Sequence, residues 1–211
     1  EGINVNHADN DGYTALYVAS QEGNVAIVKV LIKAGGNVNQ ARTTDGVSPL
    51  YAASQEGNVA VVKVLLEAGG NVNQAKTTDG VSSLFAASQE GNVAVVKVLL
   101  EAGGNVNQHS NQDATPILIA SLAGHTDVVR LLLQQPNIDL NKIAAGKSAL
   151  GHATNNEIIQ LLMNALNIPL GCEGKARSLA IQVLRAAGGG GRESIVQELF
   201  LKWNVKEDDD Q

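Results

Sequence analysis

The chain is poor in several things at once, and each shortage removes a class of function. Across 211 residues there is one cysteine, one tryptophan, two phenylalanines, three tyrosines and four prolines. A lone Cys172 excludes an internal disulfide framework and suits a reducing, intracellular setting such as the cytoplasm. Lys and Arg total 15 against 21 Asp and Glu, for a formal charge of -6. Glu207, Asp208, Asp209 and Asp210 supply four of those negatives. Neither this balance nor so few aromatic rings is the footprint of a nucleic-acid binder. Every apolar run is broken by Lys or Gly well short of the ~20 residues that span a bilayer, and there is no secretory leader pattern. No membrane association is expected.

Nucleophiles and metal ligands are equally thin. His7, His109, His125 and His152 have no mutual ligand spacing. Gly146-Lys147-Ser148 resembles the end of a phosphate loop, but such a loop needs a glycine five residues before Gly146, where Asn141 stands. Those three residues read instead as a turn leading into Ser148 as a helix cap. Gly188 to Gly191 aligns with the inter-helix turn of other units and reads as a loosened turn rather than an anion cradle. Cys172 has no evident base beside it and reads as an ordinary loop thiol. No paired-carboxylate constellation stands out. The chain is not expected to be an enzyme, and no cofactor or metal is expected.

What it has in abundance is self-similarity. Residues 45–74 read DGVSPLYAASQEGNVAVVKVLLEAGGNVNQ and return at 79–108 with only Pro49/Ser83 and Tyr51/Phe85 changed. Anchored on Leu16, Leu50, Leu84, Ile117, Leu150 and Leu184, the gaps are 34, 34, 33, 33 and 34 residues. A fixed period of this size is the mark of a stacked array. Within each unit Thr14 or Ser48 caps a short helix, with Pro49 or Pro116 at its first position. Leu16, Ala19 and Ser20 place small or apolar groups on one face. Gly23 breaks the chain, and Asn24 opens a second helix whose apolar stripe is Val25, Val28, Leu31 and Ile32. Gly35-Gly36 ends it. Helices of eight to ten residues fall short of the ~12–15 needed for stability alone, so neighbours must hold each pair. The column Tyr17, Tyr51, Phe85 and Leu118 reads as a packed stripe between units.

The strings Thr14-Ala15-Leu16, Ser48-Pro49-Leu50, Thr115-Pro116-Ile117 and Ser148-Ala149-Leu150, with Ala19, Gly23, Ile27-Val28, Leu31, Gly35 and Val38-Asn39, resemble the ankyrin-repeat motif. The resemblance covers residues 3 to 163. It implies an all-α solenoid of stacked helix-turn-helix units joined by β-hairpin or turn loops. The array would occupy residues 1–163, with a partial first unit and units starting near 11, 45, 79, 112 and 145. Residues 164–204 would form an irregular loop and a degenerate capping repeat, with Phe200 and Trp203 over its end, before an acidic tail at 205–211. The fifth unit is three residues short around Ala153 to Ile159, so its first helix or turn must be clipped. Glu1 is no initiator Met, and Ile3-Asn4-Val5-Asn6 matches the tail of a unit, so a longer protein with further repeats upstream, and an exposed first repeat here, is expected.

By the same resemblance the chain is a monomeric protein-interaction scaffold whose protein partner lies on the concave face and the loop tips. Carried over by alignment, the contact positions are Tyr13, Arg42, Asp45, Val47, Lys76, Asp79, Val81 and Gln112 on the loops. The inner helices add Gln21, Glu22, Gln55, Glu56, Gln89, Glu90 and Leu122. Glu22, Glu56 and Glu90 read either as a solvated face or as part of recognition. Because units two and three are so alike, either the partner is itself periodic, or these units are spacers and recognition falls on Tyr13, Leu122 or upstream repeats. An alternative reading is a targeting module of a larger enzyme or of a secreted bacterial effector acting inside a host cell, with the chemistry outside this chain. Asp113 stands where earlier units have Gly12, Gly46 and Gly80, which puts the geometry of the fourth loop in question.

Overall fold

The computed structural model describes residues 4–166. The described residues form five helix pairs: α1 (Ala15–Gln21) with α2 (Val25–Lys33), α3 (Pro49–Gln55) with α4 (Val59–Glu67), and α5 (Ser83–Gln89) with α6 (Val93–Glu101). After them come α7 (Pro116–Ala123) with α8 (Thr126–Leu133), and α9 (Ala149–His152) with α10 (Asn156–Ala165). The odd-numbered helices pack side by side in one layer and the even-numbered ones in a second, each pair touching mainly its neighbours. This is the all-α repeat solenoid that the period implies. Of the hairpin or turn loops expected between the pairs, turns are what form: among the described residues there is no strand, only isolated bridges Ala8–Thr14, Ala75–Ser82 and Ala144–Lys147. Asn164 and Ala165, read as the start of a loop, are the last residues of α10. The capping repeat, Cys172, Gly188 to Gly191, Phe200, Trp203 and the acidic tail all lie outside the described residues.

Capping follows the residue types. The hydroxyls of Thr14, Ser48 and Ser82 accept from the N–H of Tyr17, Tyr51 and Phe85 at 3.1, 3.1 and 3.3 Å, satisfying donors that no helix can satisfy itself. Ser20, Ser54, Ser88 and Ser121 donate to the carbonyls of Leu16, Leu50, Leu84 and Ile117 at 2.7 Å each, so four fully buried hydroxyls leave no polar atom stranded. Ser83 breaks this rule. It occupies the first position of α5, where α3 has Pro49, and its buried hydroxyl has no hydrogen-bond partner. Ser83→Pro is expected to raise stability by about 1–2 kcal/mol, since it removes a stranded hydroxyl and pre-sets φ. Chemical denaturation reads this as a higher midpoint at unchanged slope, and a lower midpoint would refute it.

Between the layers runs the main core, in which Val61, Leu65, Val95, Leu99, Val128 and Leu132 have no exposed surface. The first unit differs. Ile27, the counterpart of Val61, is 48% exposed and Val30 on the same helix 66%, because among the described residues α2 has an outer-layer neighbour, α4, on one side only. The fifth unit is clipped as its length requires, α9 having four residues.

Units are also tied by directed bonds. Asn39 Nδ2 donates to the Gly69 carbonyl at 3.1 Å while its Oδ1 accepts from Asn71 N–H at 2.7 Å, and Asn6, Asn73 and Asn107 repeat the pattern. Asn24 caps α2 through Ile27 N–H, yet Asn58 and Asn92 in the same Gly-Asn pair do not cap their own helices. They reach back instead, Asn58 Nδ2 to the Ser20 and Gln21 carbonyls (3.1 and 2.7 Å) and Asn92 Nδ2 to those of Ser54 and Gln55 (3.1 and 2.8 Å). His125, at the cap position of α8, does the same, its Nε2 lying 2.8 Å from the Gln89 carbonyl. The C-terminal carbonyls of one inner helix are thus capped by the next repeat.

Candidate functional site

The inner helices and the turns that enter them form one face, and a second, smaller core lies beneath it. Tyr17, Tyr51 and Phe85 pack with Val47, Val81, Ala52 and Ala86, against partly buried Tyr13, Ala114 and Ile119. Val47 and Val81 are therefore only 5% and 8% exposed, each packed among the rings of successive units.

Arg42, Tyr13 and Asp45 are brought together. The Arg42 guanidinium lies 4.7 Å from the Tyr13 ring centroid and 5.6 Å from that of Tyr17, with Tyr13 and Tyr17 edge to face at 5.1 Å. It donates to the Tyr13 hydroxyl and, as a fork, to both carboxylate oxygens of Asp45, whose Oδ1 also accepts from Val47 N–H at 3.1 Å. That fork holds the Asp45 carboxyl below the usual carboxylate range and pushes Arg42 up. The next unit repeats the arrangement with less geometric definition: Lys76 Nζ is 2.9 Å from Asp79 Oδ2 and 5.6 Å from the Tyr51 ring. Both loop cations are thus committed to a carboxylate and to rings in their own neighbourhood.

Burial pushes the Tyr51 phenol up to about 12, helped by the charges of Asp79, Asp45 and Glu90. A raised phenol contributes stability that is complete below pH 10 and is lost as the pH rises from 10 through about 12. Tyr51→Phe should therefore flatten the alkaline limb of the stability profile, and Phe85 in the same column shows that the bare ring fits. Denaturation midpoints measured above pH 10 check it. An unchanged alkaline loss in the variant would contradict the assignment.

Glu22, Glu56 and Glu90 are exposed at the C-cap positions of α1, α3 and α5. Among the described residues none of the three is in an ion pair, and the helix dipole disfavours an anion there. Gln55 and Gln89 are exposed beside them and Gln21 is half-buried. The lysines of the outer helices in the same units, Lys29, Lys33, Lys63 and Lys97, are all exposed there. The inner face of units one to three is therefore polar and acidic.

At the fourth unit the chemistry changes. Leu122 and Ala123 stand where earlier units have Gln-Glu, and Leu122 is 47% exposed. Around it opens a groove of about 330 Å³, lined by Asp79, Val81, Phe85, Ser110, Gln112, Ala114, Leu118, Ile119, Leu122, Ala145 and His152. Its cause is in the fifth unit. Gly151 occupies the column position held by Tyr17, Tyr51, Phe85 and Leu118, and α9 ends after His152, so among the described residues the fifth unit offers no ring or leucine to continue that column beside Leu118. The groove joins the expected Asp79, Val81, Gln112 and Leu122. It also takes in Ile119, Ala145 and His152, which no motif singles out, although Gly151 in an otherwise bulky column is a legible signal. Asp113 takes φ 60, so the fourth turn keeps the backbone form of its glycine counterparts.

Among the described residues no group of three or more His, Cys, Asp or Glu is placed to hold a metal ion, and no helix is long and apolar enough to cross a membrane. Compared with known families, the chain matches the model described as ankyrin repeats (3 copies) over residues 1–76 and 83–178. No curated protein matches it.

Proposed function

Because this chain belongs to the ankyrin-repeat family, whose repeats are generally protein-interaction modules and typically non-catalytic, we propose that it is a binding scaffold that holds a partner protein on its inner face. The observation that carries this reading is the groove beside Leu122. An exposed leucine flanked by Ile119 and Leu118 and rimmed by Gln112 and Asp79 has the make-up of an interface centre, an apolar anchor site within a polar border. The buried aromatic column below it and the bonds between repeats hold the surface rigid, so little ordering cost falls on binding. The chemistry of the reading is recognition alone, with no reaction assigned to these residues.

Leu122→Asp is expected to weaken partner retention by the immobilised chain by about 2 kcal/mol, roughly thirtyfold. Its melting curve should stay in place, because the side chain is half in water already. The triple replacement Glu22→Lys, Glu56→Lys, Glu90→Lys reports separately on the acidic part of the face. Undiminished retention by both variants would move the binding surface off the inner helices.

A further inference from the structure

The two halves of the inner face make different demands on whatever lies across them, and together they specify a ligand class. The inference rests on reading this face as a protein-binding surface and goes on to the chemistry of the partner. Units one to three offer Glu22, Glu56 and Glu90, one per repeat, in register and without an ion pair among the described residues. The loop cations of these units, Arg42 and Lys76, are already held by Asp45 and Asp79, while Lys29, Lys33, Lys63 and Lys97 sit on the other layer. The row ends at the apolar groove beside Leu122.

We propose that the partner segment is an extended stretch of polypeptide with one large apolar side chain seated in the Leu122 groove and basic side chains set at three-residue intervals over Glu90, Glu56 and Glu22. The interval follows from the spacing of the units. Packed helices lie roughly 8–10 Å apart, and an extended chain advances about 3.3 Å per residue, so each repeat is spanned by about three residues. Lysine or arginine at such a position meets a carboxylate at the negative end of a helix, where a cation is favoured twice over. The near-identity of units two and three is then the counterpart of a periodic ligand.

The test uses the whole chain and labelled synthetic peptides read by fluorescence anisotropy. The probe carries one leucine followed by three lysines, with two serines between each, and is made in both sequence directions. One direction is expected to bind. Replacing its lysines by glutamates, or its leucine by serine, should each weaken binding about tenfold or more. On the protein, Leu122→Asp should reproduce the serine effect, and the triple Glu22→Gln, Glu56→Gln, Glu90→Gln variant should remove most of the salt dependence. Equal binding of lysine and glutamate peptides, or binding of neither direction, overturns the proposal. If all peptides fail while partner retention still depends on Leu122, only the extended basic segment is refuted and the interaction surface stands.

Discussion

Leu99→Ala should cost about 2–5 kcal/mol and break the array in two. The side chain has no exposed surface, so its removal loses the transfer energy of the missing carbons and leaves a cavity that the stiff neighbouring helices cannot close. Its position raises the consequence above that of an ordinary core truncation. Helix α6 packs against α4 on one side and α8 on the other, and in a one-dimensional stack those interfaces are what make separate repeats melt together. A weakened third unit should therefore turn one thermal transition into two, with the units before and after it unfolding separately. Val30→Ala is the matched control. That residue is 66% exposed, and its loss should change stability by no more than about 0.5 kcal/mol. A single transition shifted by less than about 1 kcal/mol in Leu99→Ala would show that coupling does not run through the outer layer.

The second large effect concerns backbone. Gly46 has φ +78, and a Cβ added there would lie 2.6 Å from the Thr77 backbone nitrogen, closer than such atoms come. That nitrogen donates to the Asp45 carbonyl at 2.9 Å and so joins the turn of one unit to the turn of the next. Gly46→Ala is expected to cost about 2–4 kcal/mol, part from the left-handed conformation and part from the broken inter-turn bond. Gly69→Ala separates the two parts. Gly69 has φ +87, but nothing lies within 4 Å of where its Cβ would stand, so only the conformational part of about 1–2 kcal/mol applies. Equal losses in the two variants, from denaturant titration, would mean that the contact between turns contributes nothing.

Much of this was readable in the chain. Thr14, Ser48 and Ser82 cap because a hydroxyl before a helix meets an unsatisfied N–H only a few residues away, a local geometry that the residue order fixes. The same holds for Pro49 at the start of α3 and for the shortened α9, which follows from three missing residues. Asn58 and Asn92 were not readable in this way. Each follows glycine just as Asn24 does, and Asn24 caps its own helix, while the other two find two carbonyls of the preceding repeat within reach. Nothing in the dipeptide distinguishes them; what differs is which unit stands alongside. Val47 and Val81 make the same point at the site, since their loop position suggested surface and the neighbouring rings bury them.

The sequence by itself determined the period, the capped helix starts, and the polar row of Glu22, Glu56 and Glu90, because each depends on residues within one turn of one another or on simple recurrence. Only the tertiary structure decided that Arg42 is held by Tyr13 and Asp45, that Asn58 and Asn92 cap the inner helix of the preceding repeat, and that an apolar groove opens beside Leu122. These features are made between units some thirty residues apart, where side-chain partners are set by how the repeats stack. A groove in particular is the shape left where Gly151 and a clipped helix fail to fill space, and the extent of unfilled space is fixed by the neighbours that surround it.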